Sequence, residues 1–234
     1  MIPSYQYNNL SCYLDSEATV LFATSLGRIL GENPQDEELH IFAHIKSLND
    51  TNRFEEARDV LYSLKEGRAF IWSRGKLDRP NKISEFLLIS KSWKENCCVQ
   101  VECPECRCNE KRHARARHLS YLTLKDSKFS TLSKAIEDSL RLSNCPKSAL
   151  YTFPPNFRVE LAFSPTFQFD RFRDYEIEGA IFVTQLEVPH FTASFSSGGK
   201  SWFYDDQIGH STQIQSLIPQ EKAQTVVSIF FRKA

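Results

Sequence analysis

The stretch "PHFTASFSSGGKSWFYDD", residues 189–206, decides the fold. Two runs of alternating apolar and polar side chains, HFTASF and SWFYDD, flank the pair Gly198–Gly199. Adjacent glycines adopt the left-handed backbone of a two-residue turn, so the stretch predicts an antiparallel hairpin. The hairpin brings His190, where the first strand begins, beside Asp205, where the second strand ends. A carboxylate in that position accepts a hydrogen bond from an imidazole N–H and orients the ring.

The rest of the chain divides into a helical half, a cysteine-bearing middle and a half rich in strands. Apolar residues at helical spacing predict helices at 13–30, 38–47, 53–64, 82–90 and 130–142. Runs of alternating or β-branched and aromatic residues predict strands at 97–103, 116–124, 157–163, 177–185 and 225–231, besides the two of the hairpin. Helices followed by antiparallel strands indicate an α+β fold, and they argue against the alternating βα units of a doubly wound nucleotide fold.

The composition fits a folded chain of one large domain or two small ones. The 234 residues are 41% hydrophobic, and 29 basic side chains balance 29 acidic ones. A net charge of zero gives no basis for expecting nucleic acid or a membrane surface as partner. No apolar run approaches the roughly 18 residues that a bilayer span requires. With no secretory signal pattern, we expect a cytoplasmic or nuclear protein whose cysteines are thiols or metal ligands.

A candidate nucleophile lies in "NNLSCYLDS", residues 8–16, where Cys12 directly precedes the first predicted helix. A single cysteine is by default a packed core thiol. At the N-terminus of a helix, however, the helix dipole favours a thiolate. A thiol protease needs such a thiolate, a histidine to exchange its proton and a polar group to orient the imidazole. Cys12, His190 and Asp205 form that candidate triad. We expect Asp206 to face the other way or to reach a solvent-bridged position nearer the thiol.

The segments around Cys12 (8–16) and His190 (189–206) resemble two sequence motifs, the cysteine box and the histidine box, of the ubiquitin-specific protease family of papain-like cysteine proteases. The family's cysteine box reads N-x-x-N-T-C-Y-x-N-S, and its histidine box reads G-H-Y-x-A-[YF] followed by W-[YF]-x-F-D-D. Further family segments are similar, in the same order, to "KISEFL" at 82–87, "FPPNFRVELAF" at 153–163 and "SIFFRK" at 228–233. The resemblance implies one compact catalytic domain over 1–234, with a helical thumb at 1–95, short fingers at 96–150 and an antiparallel β palm at 151–234.

The resemblance also implies an activity. Cys12, His190 and Asp205 would be the triad of a cysteine isopeptidase that cleaves after the C-terminal glycine of ubiquitin. The C-x-L-D form of the cysteine box, with Asp15, and the H-F form of the histidine box are similar to two outlying branches. These are the cylindromatosis deubiquitinase and the ubiquitin-protease-like SUMO isopeptidase. The alternatives are therefore an isopeptidase for SUMO or another ubiquitin-like modifier, and a non-catalytic pseudoenzyme that binds such a modifier.

The segment before Cys12 departs from the family. The usual oxyanion asparagine lies five residues before the cysteine, where this chain has Tyr7. Gln6, Asn8 and Asn9 are the auxiliary candidates that would donate to the oxyanion together with the backbone N–H of Cys12. The absence of such a donor costs on the order of 10²–10³ in rate.

A metal site is a separate question, and catalysis itself requires no cofactor. "CPECRC" places Cys103 and Cys106 at C-x₂-C spacing. Structural zinc takes four ligands, often from two such pairs. The place of the second pair reads "NCPKS", with Cys145 followed by a serine where the second thiol belongs. Zinc would be held by these three cysteines and either Cys108 or His113. The alternative is a decayed site with buried thiols, and the presence of a single intact C-x₂-C pair favours this alternative.

Overall fold

A computed structural model gives the architecture, in which helices and strands are mixed. The described residues are 12–32, 40–66, 90–102, 116–125, 128–141, 149–162, 167–184, 189–218 and 224–234. The helices are α1 Cys12–Ala23, α2 Ser25–Glu32, α3 His40–Asp50, α4 Phe54–Glu66, α5 Lys91–Cys97 and α6 Leu132–Arg141. The strands are β1 Val99–Glu102, β2 Ala116–Leu119, β3 Leu122–Leu124, β4 Leu150–Thr152, β5 Asn156–Leu161, β6 Tyr175–Thr184, β7 His190–Ser197, β8 Lys200–Asp205, β9 His210–Ile214 and β10 Gln224–Lys233. Residues 82–89 of the helix predicted at 82–90 lie outside the described residues, and Ser90 is not helical but is the extended N-cap of α5.

A seven-stranded sheet forms the centre of the fold, in the order β3-β5-β10-β6-β7-β8-β9. All neighbours are antiparallel except β3 and β5, which are parallel. β7 and β8 form the predicted hairpin, and its turn glycines have φ values of 61° at Gly198 and 72° at Gly199. The two glycines therefore fix the register that the catalytic candidates depend on.

The central strands are buried on both faces. Ile181 and Phe230 belong to a core cluster shared with α1 to α5, whereas their neighbours Phe182 and Phe231 belong to a second cluster shared with α6. Successive side chains of a strand point to opposite faces of the sheet. Because both faces are buried here, the sequences of β6 and β10 are almost continuous apolar runs. None of the six described helices has the length and apolar character that a bilayer crossing requires.

A buried arginine anchors α1 to the sheet. Arg158 on β5 is 3% exposed and forms an ion pair with Glu17 of α1. Its remaining donors reach the Tyr13 hydroxyl at 2.9 Å, Ser228 Oγ at 2.7 Å and Glu160 Oε1 at 2.7 Å. Since α1 carries Cys12 at its first position, this network fixes the helix that presents the candidate nucleophile.

Gly179 on β6 lets α1 approach the sheet closely. A Cβ added there would lie 2.7 Å from Val20 Cγ1 and 3.1 Å from the carbonyl oxygen of Ser194. We expect Gly179→Ala to lower the free energy of unfolding by about 1–3 kcal/mol, because an overpacked core must shift. Urea denaturation measures it. Gly31→Ala is the matched control, since its nearest neighbour atom lies at 3.8 Å; equal stabilities of the two variants would contradict this account.

The predicted helix at 13–30 is wrong as a single helix, because the structure breaks it at Thr24. The Thr24 hydroxyl donates to the carbonyl of Val20 at 2.7 Å. The next helix starts anew at Ser25, whose backbone N–H donates to Glu178 Oε1 at 2.9 Å and whose hydroxyl donates to Oε2 at 2.6 Å. A carboxylate 153 positions away thus caps α2 and stabilises its separate N-terminus.

The predicted strand at 116–124 is likewise two strands, and they belong to different sheets. β2 joins β1 and β4 in a three-stranded antiparallel sheet, whereas β3 pairs in parallel with β5 of the large sheet. A bend at Ser120 separates them. Two short strands, β4 and β9, carry weak sequence patterns and were not predicted.

Candidate active site

The first turn of α1 presents Cys12 to the strand that carries the histidine. Cys12 is a free cysteine and 6% exposed. α1 packs on β7, and the ring of Tyr13 meets that of Phe191 edge-on, with 5.0 Å between centroids. The residues that follow Cys12 and His190 in the chain are thus in contact, which places the candidate nucleophile beside the candidate base.

The hairpin brings His190 and Asp205 together as the sequence predicts. His190 Nε2 lies 2.8 Å from Asp205 Oδ1. The backbone N–H of Gln207 donates to the same carboxylate oxygen at 2.9 Å. Burial alone would raise the pKa of Asp205, but these hydrogen bonds and the charge of the imidazole outweigh it and lower the pKa. The carboxylate is therefore held in place and ionised, as an orienting group must be.

Thr184 holds the backbone of His190. Its hydroxyl lies 3.2 Å from both the backbone nitrogen and the carbonyl oxygen of His190, accepting from the first and donating to the second. The sequence does not point to Thr184, since only the pairing of β6 with β7 places it opposite His190. No local signal in the sequence marks this contact.

His190 is hydrogen-bonded to both of its candidate partners. The hydrogen bond to Asp205 raises the pKa of His190 most, followed by a hydrogen bond with Cys12, and the pKa reaches about 10 although burial opposes it. The imidazole is therefore protonated at neutral pH. A protonated imidazole beside a sulfur atom is the electrostatic setting in which cysteine nucleophiles operate.

The two ring nitrogens of His190 have different roles. Nε2 faces Asp205, which leaves Nδ1 as the nitrogen for the thiol. The side-chain amide of Gln207 also lies near Nδ1, with its nitrogen 3.5 Å away. A hydrogen bond of that length is weak. The imidazole can therefore exchange its proton through Nδ1 while Asp205 holds the ring through Nε2.

Asp206 lies beside the imidazole rather than on the opposite side of the strand. β8 ends at Asp205, so the alternation of side chains does not extend to the next residue. Asp206 Oδ1 is 3.6 Å from His190 Nε2, and the side chain is fully buried. Neither carboxylate oxygen makes a hydrogen bond of good geometry among the described residues. Burial and the charge of Asp205 raise the pKa of Asp206 to about 6, whereas His190, Arg58 and the nearby backbone of Gln207 act in the opposite direction.

Asp206→Asn should therefore stabilise the protein above about pH 6. The folded-state pKa lies above the unfolded value, so ionising this group costs folding free energy as the pH rises through that interval. Allowing for solvent screening, we expect a gain on the order of 1 kcal/mol near pH 8 that vanishes towards pH 4. Thermal unfolding of both proteins across this range measures it. A variant no more stable than the wild type near pH 8 would contradict this account.

Several sequence-predicted residues lie outside the described part of the chain. They are the oxyanion candidates Gln6, Asn8 and Asn9 and the metal candidates Cys103, Cys106 and Cys145. Within the described ranges, the one set of side chains close enough to share a metal ion is His190, Asp205 and Asp206, whose ligand atoms all lie within 4.8 Å of one another. The hydrogen bond between His190 and Asp205 already accounts for the closeness of these two side chains.

The comparisons with known proteins give the class of fold. No protein-family model and no curated protein matches the sequence. Among solved structures, a chain of the SAGA DUB module of Ubp8, Sgf11, Sus1 and Sgf73 bound to monoubiquitin is similar, with a TM-score of 0.58 and 14% identity. The match covers 99% of this chain and 69% of that one.

Two further structures share the fold. One is the Pan2 pseudoubiquitin hydrolase–RNA exonuclease module of Saccharomyces cerevisiae, with a TM-score of 0.65, 13% identity and coverage of 100% of this chain and 54% of that one. The other is an essential yeast splicing factor, with a TM-score of 0.60, 11% identity and coverage of 100% and 69%. The chain therefore has a ubiquitin hydrolase-like fold. At these identities the similarity establishes the fold alone.

Proposed function

We propose that this protein is a cysteine isopeptidase that removes ubiquitin from conjugates. The arrangement of Cys12, His190 and Asp205 carries the proposal. The thiol and the imidazole are hydrogen-bonded, and the carboxylate holds the far ring nitrogen at 2.8 Å. A ubiquitin hydrolase-like fold supports it, because one solved relative is a DUB module bound to monoubiquitin.

In the proposed reaction, the Cys12 thiolate attacks the carbonyl carbon of the isopeptide bond after the modifier's C-terminal glycine. The imidazolium of His190 gives its proton to the leaving lysine amine as the C–N bond breaks. The modifier is then held as a thioester on Cys12. His190 takes a proton from water, hydroxide displaces the sulfur, and the modifier leaves with a free carboxylate. Asp205 keeps the ring oriented through both steps.

The layout of the substrate site follows the same proposal. Residues 1–95 would be the thumb, 96–150 the fingers and 151–234 the palm. The modifier's globular body would lie on the fingers and palm, and its tail would pass between thumb and palm. A narrow channel there would admit glycine alone, which gives specificity without a deep pocket. We place the protein in the cytoplasm or nucleus, where such conjugates are found, and propose no nucleic-acid or membrane partner.

Fluorogenic ubiquitin and SUMO substrates test the activity and the modifier together. We expect cleavage of the ubiquitin substrate with kcat/KM at least about tenfold above that of SUMO, since ten-fold corresponds to only 1.4 kcal/mol of differential binding. The C-x-L-D and H-F features make SUMO, or another ubiquitin-like modifier, the second candidate. A strong SUMO preference would overturn the choice of ubiquitin, and cleavage of neither substrate would overturn the isopeptidase.

The second class of function is a pseudoenzyme that binds a modifier without cleaving it. Two observations favour it: the irregular segment before Cys12 and the similarity to a structure described as a pseudoubiquitin hydrolase. The hydrogen-bonded triad favours the enzyme. Binding of ubiquitin with no turnover, and with no effect of Cys12→Ala on affinity, would support the pseudoenzyme.

We propose no metal for catalysis, and we treat a structural zinc at Cys103, Cys106 and Cys145 as a testable alternative to a decayed site. If zinc is bound, elemental analysis should find about one ion per chain. Chelation should then loosen the fingers and weaken modifier binding, because a small module depends on its metal for folding energy. We expect the decayed site, with no zinc and unchanged stability in chelator; one zinc per chain would contradict this.

A further inference from the structure

A buried ion pair joins the nucleophile helix to α4. Arg58 of α4 and Asp15 of α1 are each 1% exposed, and Arg58 Nε donates to Asp15 Oδ1 at 3.1 Å. Asp15 follows Cys12 by three positions, so the two share one face of the first turn of α1. Arg58 also donates to Glu55 Oε1 at 3.1 Å, which fixes the guanidinium within its own helix. The ion pair therefore acts on the turn that carries the thiol.

The stability of the core does not explain this pair. Arg58 is among the largest fully buried side chains of the protein. Removing two charges from water costs several kcal/mol per ion, and apolar residues of the same volume often serve a core equally well. A buried guanidinium supplies a planar set of hydrogen-bond donors and a permanent positive charge, neither of which an apolar side chain would supply.

We propose that Arg58 is a positioning residue for the reaction: through its buried ion pair with Asp15, it fixes the turn of α1 that carries Cys12. The inference rests on the proposed function and deepens it with a residue that no sequence box contains. Arg58 acts on the thiol through the carboxylate of Asp15.

One measurement tests this role and requires no modifier. The rate of Cys12 alkylation by iodoacetamide near neutral pH reports on the placement of the thiol. Arg58→Met should slow alkylation roughly tenfold or more, as small displacements in active sites do. Arg58→Lys keeps the charge but not the planar fork, so it should preserve the fold without restoring the rate.

The controls distinguish positioning from loss of the fold. Arg58→Met alone leaves the buried Asp15 carboxylate without its guanidinium partner, which can cost about 3–5 kcal/mol. The double variant Asp15→Asn/Arg58→Met removes both charges, and we expect it to fold and to show slow alkylation. Arg53→Met is the matched control, because Arg53 is an exposed arginine paired with Glu56 just before α4; it should leave the alkylation rate unchanged.

A folded double variant with the wild-type alkylation rate overturns the proposal. This failure is distinct from that of the proposed function. If the protein cleaves no modifier, the isopeptidase is wrong, yet the alkylation rate still decides whether Arg58 positions the thiol.

Discussion

Cys12→Ala is expected to abolish cleavage of a modifier conjugate, with kcat falling by a factor on the order of 10⁴ or more. The reason is chemical, since alanine leaves no atom to form the thioester. The protein should remain folded, because α1 is held by Arg158 and Glu17, and by the close packing at Gly179. Substrate binding should persist, so the variant should trap the modifier complex. Single-turnover kinetics with a fluorogenic modifier substrate measure the loss.

The matched control is Cys97→Ala, which removes another buried free thiol of the described chain. Burial raises the pKa of Cys97 well above its usual value, so that thiol stays protonated and unreactive. We expect Cys97→Ala to cost some stability through lost packing and to leave kcat unchanged. Substantial turnover by Cys12→Ala, or inactivity of Cys97→Ala in a folded state, would contradict the assignment of the nucleophile.

His190→Ala is expected to be nearly as severe, because the members of a triad act as a unit. The variant loses the proton donor for the leaving amine and the positive charge beside the sulfur. It also leaves Asp205 and Asp206 as two adjacent carboxylates with no cation between them. We therefore expect a loss on the order of 10³–10⁴ in kcat together with slower alkylation of Cys12 by iodoacetamide.

The exposed His44 on α3 supplies the control for this prediction. His44→Ala should retain full activity and an unchanged alkylation rate. If His190→Ala kept the wild-type rate of Cys12 alkylation while folded, the imidazole would not act on the thiol. The geometry would then serve only the packing of β7 on α1.

The sequence predicts the pairing of His190 with Asp205 because that pairing is local. Fifteen residues separate the two side chains, and two glycines in a left-handed turn fix the register between them. The position of Cys12 at a helix N-terminus is also encoded nearby, in the change from polar to apolar residues that follows it. Periodicity and turn chemistry are sufficient for features of this kind.

The remaining features depend on contacts between distant segments. The break at Thr24 requires Glu178, and the burial of Asp15 requires Arg58, 43 positions away. Neither partner is marked by a local pattern, so a single sequence cannot reveal them. The position of Asp206 depends on β8 ending one residue earlier than strict alternation assumes. Long-range electrostatics and strand ends are therefore the parts of the site that only the structure shows.

The most direct test of the central claim is covalent capture by ubiquitin carrying a C-terminal propargyl group, with a SUMO probe run in parallel. Such a probe reacts only when a positioned, nucleophilic thiol meets the end of a correctly bound modifier tail. We predict an adduct of one ubiquitin per chain, mapped by peptide mass spectrometry to Cys12 and absent from Cys12→Ala and His190→Ala. No adduct with either probe, although the protein is folded and binds the modifier, would contradict the isopeptidase and identify a pseudoenzyme.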